Sequence, residues 1–377
     1  MFRFGRKSAR PAARPALGRD FALGAQGGDW PRSYEAQVRD AYAANPVAQR
    51  AVRLVAESVG QAPIACSDPD AAALIAAKSG GQDLVETVAA HLLLNGNAYV
   101  QIMAADSGAP VELFALRPER ITIEADARGW PATYVYRAGD SVLRLDPAGP
   151  QPEVVHLKAF HPLDDHRGLG CLGAAAGAVA IHNAATRWNK ALLDNAARPS
   201  GALIHDPGEG MPLSADQIAR LRGELDQLFQ GAGNAGRPLL LEGGLKWQAL
   251  SLTPADMDFV ELKAVAAREI SLAFGVPPML LGLPGDATYA NYREANRALW
   301  RLTILPLAAK ILTGLAQALR PWRPDLMLAV DVDRVPELAE ERERLWTMLG
   351  SADFLTADEK RAMIGLGPRG SEMVDGQ

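Results

Sequence analysis

Cysteine is scarce in this chain: Cys66 and Cys171 are the two among 377 residues. They form no C-x-x-C pair and no zinc spacing, so neither a disulfide framework nor a cysteine metal centre organises the fold. A lone pair in so long a chain fits a reducing compartment or simple packing. Aromatic residues are also few, at 6%. Excess positive charge is missing: 39 Lys and Arg stand against 44 Asp and Glu, a formal balance of −5. Gripping nucleic acid by broad phosphate neutralisation needs the opposite sign. No run approaches the roughly 20 apolar residues of a membrane span, and no signal peptide is visible. Catalytic signatures are missing as well. There is no Ser-His-Asp spacing and no G-x-S-x-G, and the paired acids Asp331 and Asp333 have no partner base. Neither a catalytic residue, a cofactor nor a metal is expected.

Aliphatic residues are abundant. Hydrophobic content is 48%, much of it alanine, which favours closely packed helices around a substantial core. The length suggests two or three structural units. Residues 1–33 carry Arg3, Arg6, Lys7, Arg10, Arg14 and Arg19 ahead of a glycine-rich patch ending at Trp30. That composition reads as a disordered basic tail; an organelle transit peptide is similar in composition.

Beyond the tail, Asn45 caps a helix that opens with Pro46, buries Val47, Val52, Val55 and Val59, and ends at Pro63. A second helix starts after Asp83, with Glu86 in its first turn, and stops at Asn95-Gly96. Six strand-like runs follow: NAYVQIMA, VELFALR, RITIEA, ATYVYRA, SVLRL and EVVHLKAF, with Gly/Pro turns between them. Helices followed by an antiparallel meander predict an α+β unit to about residue 165.

Two constellations have chemical potential. GLGCLG at 168–173 matches G-x-G-x-x-G, where glycines would bring backbone amides onto a pyrophosphate. Its setting is wrong: HPLDDHR separates it from the preceding strand, and the following helix runs unbroken to about Asn195. No second strand delivers an acidic residue. Gly168, Gly170, Gly173 and Gly177 are read instead as permitting a tight turn and close helix packing. His156, His161, Asp164, Asp165 and His166 could suggest a metal, but the spacing fits neither one helix face nor a zinc pattern, so a solvated loop is expected.

Residues 197–252 read as a small inserted module. SGALI is a strand, Ser214 and Gln217 form a capping box, and Ile218, Leu221, Leu225 and Leu228 stripe a helix. PLLLEG and LKWQALSL read as a hairpin around Gly243-Gly244. The flanking segments, about 172–196 and 255–274, are long helices. In the second, Thr253, Pro254, Asp256 and Asp258 mark the start, and Phe259, Leu262, Ala266 and Ile270 share one face. Gly275 with Pro277 and Pro278 must end it. GVPPMLLGLPGDATYANY is then an apolar loop. Leu299, Leu302, Ile304, Leu305, Ile311, Leu312 and Leu315 form the apolar surface of another long helix, which Pro306 should kink or split. After it come a strand in LMLAVDVDRV, a charged helix at 336–350, a helix capped by Thr356 and Glu359, and the tail GPRGSEMVDGQ.

The stretch REISLAFGVPPMLLGLPGDATYANYREANRALWRLTILPLAAKI resembles the core of the HK97-type family of tailed-phage portals, which includes portals of gene transfer agents. NPVAQRAVRLVAESVGQAPI, LLLNGNAYV, EVVHLKAF, RPLLLEGGLKWQALSLTPADMDF and FLTADEKRAMIGLGP follow in the family's order. The resemblance implies an α+β portal-type subunit with a wing, stem helices, a small αβ clip and a short helical crown. Its divisions would be a basic tail over 1–33, a wing over 34–171, a first stem helix over 172–196 and a clip over 197–254. A second stem helix over 255–275 and a channel loop over 276–292 would follow. A kinked helix over 293–325 would lead to a wing strand, crown and flexible tail over 326–377. The resemblance further implies a homo-oligomeric ring, a dodecamer by analogy, at one capsid vertex of a phage-like particle. The major capsid protein, the terminase large subunit and a head–tail connector would be its partners, and double-stranded DNA would pass without sequence specificity. Met279, Leu280, Asp286, Thr288 and Tyr289 would belong to the DNA-channel loop. The alternatives are a nucleotide-binding enzyme using GLGCLG, and a monomeric interaction scaffold.

Overall fold

The structure is a computed structural model. It describes Leu17 and residues 33–194, 201–205, 214–220, 223, 245–249, 259–283 and 289–364. The rest of the basic tail lies outside these, as do the start signal at Thr253–Asp258, PLLLEG, and the last residues from 365.

The N-terminal helices are set by their caps. The Ser33 hydroxyl accepts from Ala36 N ahead of α1 (Tyr34–Val38), which widens into a π-turn, Arg39–Ala43. Asn45 caps α2 (Pro46–Gly60), whose buried face is Ala48, Ala51, Val52, Val55, Ala56 and Val59. Val47, expected inside, is only half-buried. Short β1 (Ile64–Cys66) leads to α3 (Pro69–Ala76), an Asp68-capped helix not expected from the sequence. Asp83 caps α4 (Leu84–Asn95), and Gly96, at φ 81°, terminates it in a left-handed conformation.

The six strand-like runs are all strands: β2 (Asn97–Ala104), β3 (Pro110–Leu116), β4 (Ile121–Ala125), β5 (Pro131–Ala138), β6 (Ser141–Leu145) and β7 (Val154–Lys158). They do not form one meander. They make two antiparallel three-stranded sheets, β3-β2-β7 and β4-β5-β6. β7 returns past the second sheet to pair with β2, placing His156 opposite Tyr99. Tyr99, Leu116, Ile121, Tyr134, Leu145 and Val154 form a small core of their own, shared by the two sheets.

The long helix α5 (Cys171–Asp194) leads out to β8 (Gly201–His205). α6, described over residues 215–220, follows; Ser214 and Gln217 make the expected reciprocal cap at 2.8 and 3.3 Å. β9 (Leu245–Ala249) pairs antiparallel with β8; the hairpin expected between PLLLEG and LKWQALSL involves residues outside the described ones. α7 (Phe259–Ala273) packs back along α5. A 3-10 turn, Pro278–Leu281, precedes α8 (Tyr289–Leu299), a second π-turn (Trp300–Ile304) and α9 (Leu305–Leu319). The irregularity expected at Pro306 therefore lies just upstream. Leu305 N reaches back to Trp300 O, and the extra residue opens the ladder where a proline ring would crowd Leu302 O.

Ala290–Leu319 has an 18-residue stretch of mean hydropathy 1.6, apolar and long enough by composition to cross a bilayer, where none was expected. Here Leu299, Ile304, Ile311, Leu312, Leu315 and Leu319 are each at most 1% exposed within the main core, and Leu302 faces out. That core joins residues from Ala41 to Leu338. β10 (Leu328–Val330) closes it by pairing with β1. α10 (Ala339–Gly350) is tied back by Arg297 Nη2 to Glu340 Oε2 at 3.0 Å. α11 (Ala357–Met363) carries the expected Thr356–Glu359 capping box.

Candidate functional site

The loop between α7 and α8 is built by two helix stops in succession. At the first, Val276 N donates to Ser271 O at 2.9 Å and Gly275 N to Leu272 O at 3.0 Å, with Gly275 at φ 66°. This is a Schellman ending, which needs a residue without a Cβ penalty at its left-handed position. Pro277 and Pro278 prevent renewal of the α-helix. The second stop repeats the pattern on the 3-10 turn: Leu283 N reaches Pro278 O, Gly282 N reaches Met279 O, and Gly282 has φ 73°. The chain is thereby turned sharply twice within eight residues.

The base of this loop is seated in the protein. Phe274 and Val276 are buried, and Leu280 and Leu281 pack against the main core. Thr303, in the second π-turn, donates its hydroxyl to Gly275 O at 2.7 Å. Of the five expected channel-loop residues, Met279 and Leu280 are half-buried in the 3-10 turn, and Tyr289 opens α8. Asp286 and Thr288 lie outside the described residues.

The paired helices α5 and α7 expose apolar side chains. Val260 is 83% exposed and Leu272 80%, and Leu262, Val265 and Ile181 are also open to solvent. Leu262 therefore departs from the expected shared face with Ala266 and Ile270, which are buried. Leu302, at 78%, adds to the apolar surface near the loop base. Isolated exposed aliphatics are ordinary, but several along one helix hairpin mark a surface suited to another protein chain.

GLGCLG is filled by protein. A Cβ on Gly168 would stand 2.0 Å from Gly96 O, and one on Gly170 2.5 Å from Leu94 O. The glycines let this loop lie against the end of α4, and a phosphate would have to displace that backbone. Asn97 reinforces the contact, accepting from Gly168 N at 2.7 Å and donating to Gly168 O at 3.2 Å. Gly173, read as a packing glycine, instead borders open space.

The histidine cluster also differs from expectation. His156 is a half-buried packing residue against the small core: its ring stacks on Tyr99 with centroids 4.3 Å apart and bonds Tyr134 Oη and Asn97 Oδ1 at 3.1 and 3.0 Å. Burial, with Lys158 and His166 nearby, pushes its pKa down to about 3. His166 is 6% exposed, so only the remainder of the group forms an open loop. Among the described residues there is no group of three or more His, Cys, Asp or Glu able to hold a metal. Cys171 is half-buried, and desolvation raises its pKa, which suits packing better than reactivity.

Comparison with known proteins adds to this geometry. A chain from the neck of a native gene transfer agent particle, computed with C12 symmetry, superposes with a TM-score of 0.71. The two are 47% identical, over 92% of this chain and 97% of that one. A Rickettsia bellii protein is 40% identical over 87% of this chain and 88% of its own length. The probable portal protein of Streptomyces phage phiC31 is 25% identical over 78% and 65%. The family model for phage portal proteins matches residues 46–365. The chain belongs to the phage portal protein family.

Proposed function

We propose that this protein is the portal subunit of a phage-like particle of the gene transfer agent kind, acting as a ring at one capsid vertex through which DNA is packaged and leaves. The observation that carries the reading is the 47% identity, across 92% of this chain, to a chain in a particle neck of C12 symmetry. A twelve-membered ring is the corresponding assembly. Each subunit would present two different faces to its two neighbours, the heterologous contact that closes a ring. The exposed aliphatics of α5, α7 and the loop base support this, because a ring gives them partners.

In this reading, residues 34–171 are the wing and 172–196 and 255–275 the stem. Residues 197–254 are the clip, 276–292 the channel loop, 293–325 the long irregular helix and 326–377 the wing strand, crown and tail. Clip and wing would meet terminase, connector and major capsid protein. The mechanism is geometric and needs no catalytic residue. A channel whose lining has few cations gives DNA phosphates little to hold, so the duplex can slide.

Solution mass tests the ring. The purified chain should run at about twelve times its subunit mass in low and high salt. A single-subunit mass over a wide concentration range would leave the monomeric scaffold standing. Micromolar binding of ATP, NAD or FAD, lost in Gly170→Val, would favour the enzyme.

A further inference from the structure

Asn45 stands where the N-terminal helices meet α5, and all four of its hydrogen-bonding positions are used. Its Oδ1 accepts from Val47 N and Ala48 N, both at 3.0 Å. Its Nδ2 donates to Asn183 Oδ1 at 2.9 Å and lies 3.2 Å from His182 Nδ1. Asn183 in turn donates to Asp40 O, in the first π-turn, at 2.8 Å. Asn45 and His182 are 1% and 4% exposed, so water does not substitute for these contacts.

The geometry fixes the protons. With the Asn45 amide reversed, its NH2 would point at two backbone N–H donors. Nδ2 therefore faces His182, and Nδ1 of that ring must accept. The ring proton sits on Nε2 and the imidazole is neutral. A second proton, on Nδ1, would set donor against donor.

The contacts have a particular place. They join residues 40–45 to residues 182–183, the middle of α5. Past Ala185, α5 is half-buried or exposed through Ala191. The joint thus lies where the helix leaves the core. A helix cap requires only an oxygen, which Ser, Thr or Asp supplies. The Nδ2 arm is additional.

We infer that Asn45 and His182 are positioning residues, a latch that holds α5 against the start of α2 while the ring is neutral and lets go when His182 is protonated. The elements packed on α5 are α1, the first π-turn, α4 and α7; of their charged groups, Lys263 on α7 is the one that acts on the His182 ring, and Asp40 meets the joint through its backbone carbonyl. Desolvation and then Lys263 hold the imidazole below its ordinary pKa, so the latch is closed at neutral pH and opens on acidification. Its chemistry does not depend on the portal reading; its consequence, an altered stem angle in the ring, does.

Hydrogen exchange on the full-length protein tests the latch, corrected for intrinsic pH dependence and read over residues 183–191 relative to β2. Wild type should exchange faster at pH 5 than at pH 7.5, because a proton on Nδ1 removes the acceptor that the Asn45 amide uses. His182→Asn places an acceptor near Nδ1 without a titrating ring, and should remove the pH dependence. Asn45→Asp keeps the cap oxygen but offers His182 a carboxylate, so acid should now slow exchange. A flat wild-type profile, an unchanged profile in His182→Asn, or acid-accelerated exchange in Asn45→Asp would each overturn the latch. Solution mass beside each profile separates this from the ring: a monomer with the expected pH behaviour would sink the portal assembly alone.

Discussion

The hydroxyl of Thr303 holds the carbonyl of Gly275 at 2.7 Å, fastening the end of α7 to the π-turn between α8 and α9. The contact spans the loop, so both ends of that loop are fixed relative to each other. A Cβ at Gly275 would meet Thr303 Oγ1 at 2.8 Å, in a backbone conformation of φ 66°.

Two substitutions there should separate strain from bonding. Gly275→Ala combines a left-handed alanine with a steric conflict and should cost roughly 1–3 kcal/mol. Thr303→Val keeps the shape, removes one partly exposed bond, and should cost about 0.5–1.5 kcal/mol. Urea unfolding of each variant checks the order. A larger loss from Thr303→Val than from Gly275→Ala would show that the glycine is not constrained as described.

Gly168 and Gly170 lead to a second prediction. Because their missing side chains admit the backbone at the end of α4, Gly168→Ala should lose at least the roughly 3 kcal/mol upper end of ordinary overpacking. Gly173→Ala, bordering open space inside a helix, should be neutral or stabilising by up to about 1 kcal/mol. Thermal melts of the two variants make the comparison. Equal effects would return GLGCLG to the status of an ordinary surface loop.

How much of this was legible in the sequence depended on distance along the chain. Asn45, Ser214–Gln217 and Thr356–Glu359 were readable because a cap is satisfied within three residues. So was the loop stop, since Gly275 and two prolines act locally. The pairing of β7 with β2 was not, because an alternating strand names its buried face but not its partner. His156 was consequently misplaced: only that register brings it onto Tyr99. The π-turns left no compositional mark, and Pro306 signalled an irregularity without its position. For the expected site, the sequence indicated where the loop is and what breaks it. Which of its residues would face a channel in the proposed ring depends on how neighbouring subunits sit, and no single chain encodes that locally.

Two half-buried, desolvated histidines predict an acid-sensitive fold. Desolvation is the main cause that lowers His91 to about 4 and His156 to about 3, below the ordinary 6.5. The unfolded chain therefore takes up protons first as pH falls. Stability present above pH 6.5 should drop steadily from there toward pH 4. His91 offers a direct check, since its Nδ1 is shielded from solvent without a hydrogen-bond partner. His91→Leu should be close to neutral at pH 7.5 and should flatten the acid loss, as measured by urea midpoints at pH 7.5 and 5. A loss above about 3 kcal/mol at pH 7.5, or an undiminished slope, would contradict this account of the ring.

The loop between α7 and α8, proposed to line the channel, gives the last prediction. Its base is anchored by Phe274, Val276, Leu280 and the Thr303 contact, so substitutions there report folding: Leu280→Ala should cost about 2 kcal/mol, the low end for a half-buried leucine. Asp286 lies further along, between the second stop at Gly282 and the start of α8 at Tyr289. If that segment projects into the channel, Asp286→Ala and Asp286→Lys should leave the melting temperature and ring mass nearly unchanged. Packaging should then distinguish them. Each new ammonium adds an attraction for DNA phosphate, and the ring multiplies it by its number of subunits. Asp286→Lys should reduce DNA per particle more than Asp286→Ala, and higher salt should lessen the difference, because screening weakens each contact. Packaging lost in step with melting temperature would make Asp286 a folding residue. Normal packaging in both variants would mean that this part of the loop does not face DNA.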